Sequence, residues 1–197
     1  MNTKYIGDAF DHWKGSMISL LAFDSLLRNV IVEPMITDQS PWNLDEKDTY
    51  RRLLRLQETD IVIHADSTFI GDRNKYFDEI PKDGDVFLDP DTGIATGKSS
   101  RQHVKISEIA ELCDNSDRIV MIYQHSARGD FHNRLQIISK RLLSEIPQIT
   151  VMLYKCGFVA LIFVSKEIKR MNKLHDFLRF YLKGAAGNRI MMFYSQR

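Results

Sequence analysis

The chain has 197 residues, 27 lysines and arginines against 26 acids, a formal net charge of +1, and 44% hydrophobic residues. This is a globular composition, and it excludes a disordered or fibrous chain and a partner chosen by bulk charge alone. One domain over 1–197 accounts for the length. Cys113 and Cys156 lie outside any CxxC spacing, residues 1–7 do not resemble a leader, and no apolar run reaches about 18 residues; the expectation is a cytoplasmic protein with no membrane partner.

In chain order, Asp8 or Asp11 is expected to cap a helix running to about residue 28, with Trp13, Met17, Leu20, Leu21 and Leu27 as its apolar stripe. Residues 29–33 are β-branched and closed by Pro34, which marks a short buried strand. A second helix over 44–56 turns Tyr50, Leu53, Leu54 and Leu56 inward, and 60–64 forms a second strand ending at His64, read as a satisfied polar residue rather than a ligand. A short helix within 71–80 carries Tyr76 and Phe77. The strand that follows, Asp85-Val86-Phe87-Leu88, runs into Asp89-Pro90-Asp91-Thr92-Gly93, where proline fixes φ and glycine tolerates positive φ.

Residues 97–102 are a polar loop, Ser107 caps a helix through about Leu112, and 118–124 is a continuous apolar strand that ends in Gln124-His125. Phe131, Leu135, Ile138 and Leu142 form a clean helical stripe before Pro147. Residues 149–154 and 158–164 flank Lys155-Cys156-Gly157 as an antiparallel hairpin. Ile168, Met171, Leu174, Leu178 and Tyr181 mark the last helix, and 188–194 supplies a final strand. The basic groups Arg51, Arg52, Arg55 and Lys166, Lys169, Arg170, Lys173 read as solvated faces.

Alternating strands and helices imply right-handed crossovers and a mostly parallel sheet covered on both faces, an α/β three-layer sandwich with a C-terminal antiparallel hairpin. Consecutive parallel strands bring their carboxyl ends to one edge, so Asp89 and Asp91 should meet Gln124 and His125 there. Two carboxylates and an imidazole can polarise an amine, hold a divalent cation or move a proton. Gly7, Asp8, Asp11 and Lys14 form a third polar block, and Arg128 is placed to bind a substrate phosphate or carboxylate, with Gln124 as a second substrate contact.

Three blocks, Tyr5-Ile6-Gly7-Asp8 with Asp11 and Lys14, Phe87-Leu88-Asp89-Pro90-Asp91-Thr92-Gly93, and Tyr123-Gln124-His125, resemble those of a group of uncharacterised prokaryotic proteins, which in turn resembles a shortened class I S-adenosylmethionine-dependent methyltransferase. The resemblance spans nearly the whole chain and implies a Rossmann-like fold, methyl transfer to an amino group, possibly in nucleic acid, and S-adenosylmethionine as cofactor. It makes Asp89-Pro90 the first half of an amine-methylating Asp-Pro-Pro-Tyr type motif, with Asp91 and His125 beside it as catalytic groups, and Gly7, Asp8, Asp11 and Lys14 the cofactor side. Asp91 and Thr92 depart from the motif's second half, no glycine lies between Gly15 and Gly71, and the first strand ends in Glu33-Pro34 instead of a glycine-rich turn, leaving Gly7 and Gly15 to supply the grip.

Two other readings use the same residues. In a metal-dependent nuclease or phosphodiesterase, Asp89 and Asp91, with Asp8 or Asp11, bind Mg or Mn, His125 is the base, and Lys14 or Lys105 steadies the phosphorane charge. In a non-catalytic binding module, the scaffold is a degenerate one that docks a partner.

Overall fold

The computed structural model describes residues 3–37, 41–65, 73–97, 100–114, 117–126 and 129–195. After a short 3-10 turn at Thr3–Tyr5, helices α1 (Ala9–Phe23), α2 (Leu44–Leu53), α3 (Arg73–Asp78), α4 (Ile106–Cys113), α5 (Phe131–Glu145) and α6 (Ile168–Tyr181) alternate with strands. The strands are β1 (Ile31–Glu33), β2 (Ile61–Val62), β3 (Val86–Leu88), β4 (Gly93–Ile94), β5 (His103–Val104), β6 (Val120–His125), β7 (Thr150–Cys156), β8 (Val159–Ser165) and β9 (Ile190–Tyr194). Seven of them form one mixed sheet in the order β2-β1-β3-β6-β8-β7-β9, and β4 and β5 pair separately.

Strands β2, β1, β3 and β6 are parallel, β8 is inserted antiparallel between β6 and β7, and β9 runs antiparallel outside β7. Five of the seven strands therefore point the same way, and their carboxyl ends share an edge. Alternation along each strand divides the apolar side chains between two cores. Val86, Leu88, Val120 and Ile122 pack with α3, α4 and α5, whereas Phe87, Met121 and Tyr123 pack with α1, α2 and α6. Among the described residues no helix is long and apolar enough to cross a membrane.

The expected elements are present, with corrected boundaries. Helix α1 stops at Phe23 rather than near residue 28, because the chain turns through Ser25 and Asn29 at positive φ; Leu27 is still buried, but Ile18 takes the place expected of Leu20. Only Ile61 and Val62 of the second strand pair, and His64 follows at φ 52°. Helix α4 is capped at Lys105, not Ser107, with Glu108 Oε2 accepting from the Lys105 amide at 2.8 Å. Ahead of it, the described residues Gln102 to Val104 are anchored, since the Thr92 amide donates to the Gln102 carbonyl at 3.1 Å and Gly93–Ile94 pairs with His103–Val104.

Two basic residues expected on solvated faces instead hold the framework. Arg51 donates to the carbonyls of Asp60 and Gln57. Arg170 reaches the buried Asp85 with both terminal nitrogens, at 2.6 and 3.0 Å. The same carboxylate accepts from the amides of Arg28 and Ile119, each at 2.8 Å, so it ties β3, β6 and α6 together at the amino edge of the sheet.

Candidate active site at the carboxyl edge of the sheet

The opposite end of β3 carries the chemistry. Pairing between β3 and β6 ends at Leu88 with Ile122, so Asp89 leaves the sheet beside Tyr123, which β6 still pairs with Leu161 of β8. Asp8 caps α1 by accepting from the amides of Phe10 and Asp11 at 2.8 and 3.1 Å, and this fixes where the first turn of the helix lies. One turn on, Lys14 is buried and its ammonium lies 2.7 Å from both Asp11 and Asp89. Asp11 in turn accepts from the Gly7 amide at 2.8 Å, binding the segment ahead of the helix to the same cluster.

Asp89 is 2% exposed and is held by one oxygen. Its Oδ2 accepts from Lys14 Nζ at 2.7 Å and from the Tyr50 hydroxyl at 2.5 Å, while Oδ1 accepts no hydrogen bond among the described residues. Burial works against the Lys14 ammonium, but the charges of Asp89 and Asp11 outweigh it and the net shift of its pKa is upward. Burial raises the pKa of Asp11 despite Lys14. For Tyr50, burial and then the Asp89 charge push the phenol well above its ordinary range, so it stays a donor. Two carboxylates and one ammonium leave this buried group with a single negative charge.

A cavity of about 660 Å³ opens over it. The groups expected to converge do so: Asp8, Asp11 and Lys14 line it together with Asp89, Asp91 and His125. Thr37, Tyr5, Phe10, Tyr123 and Arg101 also line it, and of these only Tyr5 and Tyr123 had entered the sequence motifs, neither with a role. Tyr50 was expected merely to be core; the sequence signal for its second role is a polar tip on an otherwise apolar helix face.

Several expected roles are corrected by the geometry. Gln124 is not available to a substrate: its Oε1 accepts from the Ile94 amide at 2.8 Å and its Nε2 donates to the carbonyls of Thr92 and His125 at 3.0 and 2.9 Å. It is the clamp that shapes the loop after β3. Gly93, at φ +89°, lies so close that a Cβ would overlap the Gln124 amide. Gly15 packs α1 on α2, where a Cβ would overlap the Leu53 backbone, so it offers a cofactor nothing. Gly7 and Lys105 are not among the lining residues. Asp91 is half-buried and accepts from the Thr37 hydroxyl. Arg128 lies outside the described residues.

The end of β1 is filled from within. Glu33 is fully buried, accepting from the Met35 amide at 2.8 Å and the Tyr76 hydroxyl, with His64 Nδ1 2.6 Å away. His64 is therefore the satisfied polar residue it was expected to be, its other nitrogen 3.2 Å from Glu79.

The residues do not suit a divalent cation. Among the described residues no three histidine, cysteine, aspartate or glutamate side chains surround a common metal position, and the place between Asp11 and Asp89 is taken by the Lys14 ammonium. They suit an amine or a sulfonium better, because the cavity floor is negative and Asp89 has an unoccupied oxygen.

Two buried polar atoms of the wall have no hydrogen-bond partner among the described residues, Asp11 Oδ1, which the Lys14 ammonium meets at 2.7 Å as an ion pair, and the Tyr123 hydroxyl. Tyr123 is 5% exposed, and its hydroxyl has no hydrogen-bond partner among the described residues. Such an atom costs about 1–3 kcal/mol when left alone. Burial, then the charges of Asp89, Asp8 and Asp11, raises the pKa of this phenol, so it remains neutral. Lys14 sits over its ring, 4.6 Å from the centroid.

No family model matches the chain, and no curated protein matches it. Among solved structures it is similar to protein LPL1258 from Legionella pneumophila str. Philadelphia 1, described as a DUF519 family protein, at a TM-score of 0.38 and 12% identity. The match covers 87% of this chain and 63% of that one, so the chain spans less than two thirds of that structure. A likeness at this level is silent on activity.

Proposed function

We propose that the chain is a methyltransferase-like enzyme acting on an amino group, on a Rossmann-like fold, with Asp89 as the residue that receives the amine. The observation that carries this reading is Asp89 itself: a buried carboxylate fixed through Oδ2 by Lys14 and Tyr50, with Oδ1 left to the cavity. A carboxylate so held accepts an N–H from the substrate and orients the nitrogen lone pair away from itself, toward an electrophile. The C-terminal antiparallel hairpin read from residues 149–164, present as β7 and β8, supports the same reading.

S-Adenosylmethionine, which the resemblance implies, would supply an electrophilic methyl group on a sulfonium, and Asp8, Phe10 and Lys14 on the α1 side of the cavity would hold it. Lys14 and Tyr50 do the positioning. Both donate to the same oxygen of Asp89, so the free oxygen has one direction in which to accept. His125, half-buried on the β6 side with its Nδ1 3.5 Å from the Ser126 carbonyl, is the group placed to take the proton that the amine loses.

The test is calorimetry of the folded chain with S-adenosylhomocysteine, followed by transfer of labelled methyl from S-adenosylmethionine to amine substrates. Binding together with transfer that is lost in Asp89→Asn is the expected result. Absence of any cofactor binding sinks the reading; binding without transfer to any amine favours a non-catalytic module.

A further inference from the structure

A second cavity, of about 430 Å³, opens at the other end of the sheet from Asp89, on the face covered by α3 and α4. Its size lies in the range of small-molecule pockets, about 300–1,000 Å³. Phe77, Ile80, Leu112 and Arg118 line it and are all buried. Arg118, just before β6, is 3% exposed, so folding takes its charge out of water. One edge of its guanidinium holds the chain that leads into β3: Nε donates to the Gly84 carbonyl at 2.8 Å and Nη2 to that of Pro81.

The other edge of the guanidinium is unspent. Among the described residues Nη1 donates to nothing, and it is not sealed off as Nε of Arg134 is. Nor does Arg118 form an ion pair among them. Burial lowers its pKa, and the acids near enough to act on it are engaged or far out: Asp85 is taken by Arg170, Asp117 by Arg28, and Asp83 is exposed. The other buried cations of this fold have their carboxylates, Lys14 in Asp11 and Asp89 and Arg73 in Glu108. A buried guanidinium with a free fork calls for a planar anion that accepts two parallel N–H bonds. Phe77, Ile80 and Leu112 ask for an apolar body behind that anion. The exposed acids Asp78 and Glu111 at the rim disfavour a second negative charge, whereas Asp114 is met by Lys166 at 2.9 Å.

We propose that this cavity binds a small monocarboxylate with an apolar body, its carboxylate on the free edge of Arg118 and its hydrocarbon against Phe77, Ile80 and Leu112. The site is independent of the amino-group reading above, since Arg118 and Gly84 stand at the amino ends of β6 and β3 and Asp89 at the carboxyl edge. A bound carboxylate supplies the counter-charge that the fold withholds from Arg118, and so stabilises the folded chain.

Calorimetric titration of the whole chain with benzoate, with its neutral counterpart benzamide and with inorganic phosphate tests the site. Benzoate is expected to bind at least about tenfold more tightly than benzamide, the worth of charge-assisted hydrogen bonds to a buried guanidinium. It is also expected to bind more tightly than phosphate, which has no apolar body and brings more charge to the rim. Arg118→Lys, which keeps a cation but loses the fork, is expected to bring benzoate down to the level of benzamide at temperatures where the variant is folded. Glu111→Lys, an exposed change that leaves the framework intact, is expected to tighten benzoate about threefold at low salt and to leave benzamide unchanged. Equal binding of benzoate and benzamide overturns the proposal, as does the absence of any benzoate binding. Tighter binding of phosphate than of benzoate overturns it in favour of a plain anion hole. Benzoate binding that Arg118→Lys leaves unaltered, or that Glu111→Lys fails to tighten, places the carboxylate elsewhere and overturns it too. Methyl transfer enters none of these measurements, so failure here leaves the reading of Asp89 standing, and failure there leaves this site.

Discussion

At the scale of single residues, Lys14 holds the site together. A lysine 3% exposed is tolerated only when its charge is met, and Asp11 and Asp89 both meet it, each at 2.7 Å. Lys14→Met, similar in length, leaves two buried carboxylates facing one another, and removing one partner of a buried pair costs about 3–5 kcal/mol. Urea unfolding should show that loss at neutral pH. It should also show the loss shrinking as pH falls, because Asp11, whose pKa burial already raises, loses the lowering effect of Lys14 in the variant, takes up a proton more readily in the folded state, and so gains stability toward acid. His64 behaves with the opposite need for its proton. Burial alone would lower its pKa, but the hydrogen bond and charge of Glu33, then those of Glu79, carry it above 6.5. Its contribution to stability is complete below 6.5 and is lost as pH rises through the folded pKa. His64→Asn, which tolerates the positive φ, should therefore differ most from the native chain near pH 6 and least near pH 8.5; parallel stability curves would show that His64 carries no such linkage.

At the scale of elements, the segment after β3 works because another strand shapes it. The Gln124 side chain bonds Ile94, Thr92 and His125, and Gly93 leaves room for its amide. Gly93→Ala should destabilise by about 1–3 kcal/mol, combining left-handed strain with a displaced clamp. On a Gln124→Ala background the same change should cost less, since only the backbone strain remains, and a double-mutant cycle by chemical denaturation measures the difference. Additive losses would show that Gly93 answers to φ alone. The example marks where sequence reading stops. The strand was legible from Val86-Phe87-Leu88, the turn from Pro90 and Gly93, and the shared edge from the crossover rule, because each depends on local pattern. The role of Gln124 was not, since a glutamine at a strand end looks the same whether it faces a substrate or a loop 30 residues away. Helix α1 shows the same division: its cap and stripe are local, but the 75-residue reach from Lys14 to Asp89 is visible only in three dimensions.

At the scale of the whole molecule, β3 is bounded by two buried aspartates that do opposite things. Asp85, at the amino edge, spends both oxygens on Arg170, Arg28 and Ile119, and thereby joins β3, β6 and α6. Asp89, at the carboxyl edge, spends one oxygen and keeps the other. A protein that gathered charged groups at both edges for stability alone would have no reason to leave Asp89 half used. The contrast gives a direct comparison. Asp85→Asn puts an amide N–H among donors that all require an acceptor and leaves Arg170 without its charge partner, a loss of about 3–5 kcal/mol. Asp89→Asn keeps a carbonyl oxygen for Tyr50 and leaves Lys14 paired with Asp11, so its loss should stay below about 2 kcal/mol. Chemical denaturation should thus rank Asp85→Asn as the less stable, while methyl transfer should be lost in Asp89→Asn, which stays folded, and largely kept in Asp85→Asn at temperatures where it is folded. The reverse ranking would make Asp89 the structural anchor and remove the reason to place chemistry at the carboxyl edge.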